Sequence, residues 1–123
     1  MATLNDRVFD NGLTVLDTEA NKILITSQEA TTYTEANATY ALGNSTSLSI
    51  GAPQDRSGGG REVVVAAITD GSVTATGTAT HYAIVDTVNS RLLATGSLTA
   101  SQAVTSGNTF TLSSVAIGIP DPA

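Results

Sequence analysis

The chain has 123 residues, of which 41% are hydrophobic, 4% aromatic and 13% charged, with a formal charge of −6 and no cysteine. That length fits a single domain, and the missing thiols exclude disulfides, thiolate metal sites and Cys nucleophiles. The acidic balance gives phosphate backbones nothing to grip, and no apolar run approaches the ~20 residues of a membrane-crossing helix, so neither nucleic acid nor membrane is expected as a partner.

The start, Met1 to Arg7, lacks a charged region followed by an apolar one, so synthesis and folding in a cytoplasm are expected. Phe9, Leu13, Leu16 and Ala20 then recur at steps of four, three and four, with Val8 beside Phe9. This is the stripe of an amphipathic helix that Asn5 or Asp6 would cap. Gly12 weakens it by about 1 kcal/mol relative to Ala, which leaves an extended arm as the alternative. Residues 1–20 are accordingly read as an N-terminal helix or arm, and residues 21–123 as the β part of one domain.

Lys22 to Gln28 is a short β-branched run and reads as the first strand. Residues 29–44 show neither period and are expected to form a structured loop with one helical turn near Glu35. Asn44 to Ala52 alternates Ser with Thr, Leu and Ile, the period-2 pattern of a strand with one polar face. Three consecutive glycines follow in Arg56-Ser57-Gly58-Gly59-Gly60-Arg61, giving maximal backbone freedom between two strand-like runs. Glu62 to Thr69 is apolar on both alternating sets, as expected of a strand buried on both faces.

Asp70-Gly71 is a hairpin signal, followed by a strand from Ser72 to Ala79. A second pairing is expected between His81–Asp86 and Arg91–Leu98 across a turn at residues 87–90. The habit repeats at Gln102–Thr105, a turn at residues 106–108, Thr109–Leu112 and Val115–Ile119, with Pro120 and Pro122 closing the last strand. Seven or eight short strands with turns every 8 to 12 residues predict a mainly β, antiparallel sandwich or barrel-like domain. With so few aromatics the core rests on Val, Ile, Leu and Ala. Such a core leaves little stability in reserve, and self-association would add to it.

Reactive constellations are missing. His81 is the only histidine and sits between Thr80 and Tyr82 in a predicted strand, where a hydrogen-bonded structural role is expected over a catalytic base. Gly43-Asn44-Ser45-Thr46-Ser47 fails the last position of a nucleophile elbow. The eleven acidic residues are scattered, with Asp70 and Asp86 in or beside predicted turns. No clustered calcium ligands or phosphate-loop lysine are written. The chain is therefore read as a non-enzyme with no cofactor and no metal site.

Three segments carry a resemblance: Gly77-Thr78-Ala79-Thr80-His81-Tyr82-Ala83-Ile84-Val85-Asp86, Leu93-Ala94-Thr95-Gly96-Ser97-Leu98, and Val104-Thr105-Ser106-Gly107-Asn108-Thr109-Phe110. Together with Ser27 to Tyr33, they resemble small β-rich virion proteins of tailed bacteriophages, of the head-decoration or tail-fibre-like kind. The resemblance implies a structural virion protein, with capsid decoration (cement) as the first reading. A neck, tail or fibre component is the alternative, and a carbohydrate-binding adhesion module the third. It implies as partners the phage major capsid protein or another virion protein, and the chain itself as a homo-oligomer, a trimer by preference.

Two candidate contact regions follow. Arg56, Ser57, Gly58, Gly59, Gly60 and Arg61 form a loop expected to be locally positive and free to order against an acidic surface. Leu4, Val8 and Phe9 lie on the N-terminal apolar stripe, which is expected to pack on its own sheet, or else on a neighbouring subunit.

Overall fold

The structure is a computed structural model that describes residues 6–120, with side chains from Asp10 onward. It is mainly β, with antiparallel strands and a short N-terminal helix, in agreement with the sequence expectation. The helix α1 (Asp6–Glu19) is followed by β1 (Lys22–Thr26), a π-helical turn (Glu35–Thr39), β2 (Ala41–Ser45), β3 (Gln54–Asp55) and β4 (Arg61–Val65). After these come β5 (Ile68–Val73), β6 (Gly77–Asp86), β7 (Arg91–Val104), β8 (Thr109–Leu112) and β9 (Val115–Ile119).

The chain falls into two compact units interleaved in sequence. Of the described residues, one unit takes 6–19, 49–67 and 113–120, and so contains α1 and the sheet β3-β4-β9. The other takes residues 20–48 and 68–112 and contains the sheet β7-β6-β1-β2-β5-β8.

The six-stranded sheet is organised around β1, whose Ile23, Leu24, Ile25 and Thr26 are all buried. Leu24 shares one face with Ala83 and Val85 of β6, and Ala30, Ala36, Tyr33, Tyr40, Ala41 and Leu92 complete this cluster. Ile23 and Ile25 lie opposite Ile84 and Tyr82 of β6 and therefore share the other face. Residues 27–40 form the cover over the Leu24 cluster. Their shape is set by Glu35, whose carboxylate accepts from Thr31 N at 2.9 Å, Thr31 Oγ1 at 2.7 Å and Tyr40 OH at 3.2 Å. Because the charged form is what these donors stabilise, led by the Thr31 amide, the Glu35 carboxyl is held below its ordinary range.

Glycines let aromatic rings lie flat on this sheet. Gly71 of β5 pairs with Phe110 of β8, and a Cβ at Gly71 would meet the Phe110 ring, while one at Gly43 would come within 3.0 Å of the same ring. Gly96 of β7 faces Tyr82 in the same way, with its would-be Cβ 2.6 Å from the phenol ring. Two large rings thus stand over small residues, which offsets the scarcity of aromatics with well-packed area. The sheet curls, so that its two margins approach: Gln102 Nε2 of β7 donates to Thr111 O of β8 at 3.0 Å.

Several local expectations need correction. The Ser/Thr alternation expected as a strand from Asn44 to Ala52 forms none beyond Ser45; β2 lies earlier, at Ala41–Ser45, where it pairs with β1, and after it only an isolated bridge at Ile50 remains. The Glu62–Thr69 run is not one doubly buried strand. Val63 and Val65 are buried and Val64 half-buried, and the run breaks at the exposed Ala66 and Ala67, where the chain passes from one unit to the other. Asp70-Gly71 is no hairpin but the middle of β5. Asp70 accepts from Ser45 Oγ at 3.1 Å and Ser47 Oγ at 2.7 Å, and the missing Gly71 side chain is needed beneath Phe110.

Candidate functional site

The sequence singled out the triglycine segment, and in the structure it is a closed turn between β3 and β4. Arg56 N donates to Gly60 O and Gly59 N to Arg56 O, both at 3.1 Å. Gly58, Gly59 and Gly60 all take positive φ, near 90, 105 and 90°. Side chains rarely adopt that region, and a Cβ at Gly60 would in addition strike the Ile119 carbonyl. The glycines are thus required by one specific turn, whereas freedom of movement was the expected role.

The two arginines that flank it have separate employments. The Arg56 stem runs beside Gly118 of β9, whose would-be Cβ lies 2.9 Å from Arg56 Cδ. Its head turns back, Nη1 donating to Gly59 O at 3.0 Å. Arg61 is 17% exposed in its side chain and binds Asp10 of α1 with both Nε, at 2.9 Å, and Nη2, at 3.4 Å. Its Nη1 donates to Asp55 Oδ1 at 2.7 Å, and Nη2 also to Pro53 O at 3.2 Å. The planar fork suits this work, since it satisfies two carboxylates and a carbonyl from one position. Asp10 and Asp55 bring opposite charge to the segment, so it is not the locally positive loop expected. Of the turn, Ser57 and Gly58 are exposed.

The N-terminal candidates divide. Leu4 lies outside the described residues, and Val8 and Phe9 lie on α1 with side chains outside the description. Further along the same stripe Leu13 is 3% and Leu16 9% exposed, and α1 packs against β4 within its own unit. The structure therefore joins the helix to the Arg61 turn through Asp10. Sequence reasoning missed this link: Asp10 reads as an ordinary first-turn acid, and nothing local marks a partner 51 residues away.

Other polar groups are occupied in local hydrogen bonds. Asp86 is buried and accepts from Val88 N, Asn89 N and Asn89 Nδ2, at 2.9, 3.3 and 2.8 Å, which closes the β6–β7 hairpin and holds its carboxyl below the ordinary range, Asn89 contributing most. The Ser47 and Ser45 hydroxyls lower Asp70 likewise. His81 Nδ1 lies 2.8 Å from Thr80 Oγ1. Tyr82 is buried, which pushes its phenol pKa up, and Tyr33 and Tyr40 pack on the Leu24 cluster. Among the described residues no group of three or more His, Asp or Glu is placed to hold a metal.

No family model, curated protein or solved structure compared with the chain matches it.

Proposed function

We propose that the protein is a structural component of a tailed-phage particle, attached to the head shell as a decoration protein. The observation that carries this reading is where the family-like segments fall. Gly77 to Asp86 is the whole of β6, Leu93 to Leu98 lies in its ladder partner β7, and Val104 to Phe110 runs from the end of β7 through the turn into β8. Two of the three segments thus lie in the paired strands β6 and β7, while the third leads from β7 to β8 at the other margin of the same sheet.

Composition supports the same role. A low-charge Thr/Ser surface over an aliphatic core gains from every contact made in an assembly, because binding to the folded state adds to its stability. Contact with the shell through the Arg56–Gly60 turn would rest on Ser57, Gly58 and the Arg56 stem. Arg61 is left out of this proposal because its guanidinium already serves Asp10, Asp55 and Pro53.

The test is add-back. Particles assembled without this chain are mixed with the purified protein and imaged by electron cryo-microscopy. Regular density on the outer capsid lattice is the expected result. Density confined to the neck or tail would contradict the head placement, and no binding at all would contradict the virion reading.

A further inference from the structure

Most glycines in this fold have a visible reason. At Gly43, Gly60, Gly71, Gly96 and Gly118 a Cβ would come closer than 3.0 Å to a neighbouring atom, and Gly58, Gly59 and Gly107 take positive φ. Gly12 has neither reason. It lies inside α1, and a Cβ placed there would meet the Ile119 side chain at 3.7 Å, an ordinary contact. Alanine would fit and would favour the helix. What sets Gly12 apart is its neighbour: Asn11 is the one asparagine of the chain that glycine follows, and both residues are exposed.

The helix around this pair is weak in itself. Gly12 lowers its propensity, and the Thr14 and Thr18 hydroxyls turn back onto the carbonyls of Asp10 and Thr14, at 2.6 and 3.1 Å. Its last turn holds Asp17 and Glu19 and no basic residue, against the sense of the helix dipole. What keeps α1 in place is the buried pair Leu13 and Leu16, together with Asp10 on Arg61.

We propose that Asn11–Gly12 is a self-modification site whose conversion releases α1 from the Arg61 turn. A side-chain amide followed by glycine is open to attack by the glycine nitrogen, because no Cβ hinders the approach. In the intact helix that nitrogen is committed to the preceding turn, so reaction follows local opening of α1. The Gly12 nitrogen bonds to Asn11 Cγ and loses its proton to water, while the Cγ–Nδ2 bond breaks and the departing nitrogen takes up a proton and leaves as ammonia. Water then opens the five-membered imide at one of its two carbonyls. One opening gives aspartate in the normal chain. The other gives isoaspartate, in which the backbone runs through the former side chain and is one methylene longer. The net change consumes one water, releases ammonia and turns the amide into a carboxylic acid. Isoaspartate in the middle of α1 breaks the helical register beside Asp10, which then loses its fixed place against Arg61. The inference does not rest on the virion reading.

Peptide mass spectrometry of the full chain, kept folded at mildly alkaline pH beside a urea-unfolded reference, tests the site. Residue 11 should convert ahead of every other asparagine, with isoaspartate as the main product, and chains carrying it should unfold at lower urea than unconverted ones. Gly12→Ala should slow the conversion by at least about fivefold, the ratio by which the difference in helix propensity makes opening rarer. An Asn11 that stays unmodified in the folded chain while the unfolded reference converts fully overturns the proposal. So does conversion led by Asn89 or Asn108 in the folded chain, or an unchanged urea midpoint for chains carrying isoaspartate. The comparison on the unaltered chain needs no variant, so a misfolded Gly12→Ala protein would not leave the question open.

Discussion

Arg61 is the residue on which the smaller unit turns. Its fork holds α1 through Asp10, β3 through Asp55 and the preceding chain through the Pro53 carbonyl. Arg61→Ala should therefore lower unfolding stability by about 1–3 kcal/mol, because two carboxylates and a carbonyl lose a charged donor together. Arg61→Lys should recover only part of this, since an ammonium cannot reproduce the bidentate geometry. Urea denaturation of the three proteins measures both effects, and an unchanged midpoint for Arg61→Ala would contradict the hub. The sequence shows this arginine as half of a matched basic pair. Only the fold distinguishes Arg61, turned inward to distant acids, from Arg56, folded over its own turn.

At the scale of elements, legibility follows how local the determining contact is. The helix, the turn at residues 87–90 and the pairing across it, and the turn near Glu35 are set by nearby residues and were readable; the last two strands were readable from their turn and proline boundaries although their partners, β5 and β4, lie far off. β2 and β5 were not, because their limits come from pairing and packing that their own residues do not signal: β2 is fixed by β1, and Gly71 is a strand residue because Phe110 lies over it. The covering segment and the β6–β7 hairpin also carry a pH dependence. Glu35 and Asp86 accept donors that favour the charged form, so the folded state binds protons less readily than the unfolded chain, as it also does at Asp70. Stability from these groups is complete above the ordinary carboxylate range and is lost as pH falls through their lowered values. The melting temperature should stay level from pH 7 to about 5 and drop below about 4. Asp86→Asn should flatten part of that drop; a melting profile of the same slope in both proteins would contradict the assignment.

For the whole molecule, the two-unit organisation was hidden by interleaving. Residues 49–67 and 113–119 look like further strands of the same kind as the rest, yet they build a separate small sheet with α1. The candidate contact region was legible as a motif but not as a geometry, since three positive φ angles in a row read the same in sequence as a flexible linker. The proposed role in a phage particle makes a direct claim about where the chain is found. Mass spectrometry of gradient-purified particles from the genome that encodes it measures this. The account predicts the chain in intact particles at a fixed, high ratio to the major capsid protein, retained through repeated banding. Its absence from banded particles, with the chain recovered only from the soluble lysate, would contradict the account.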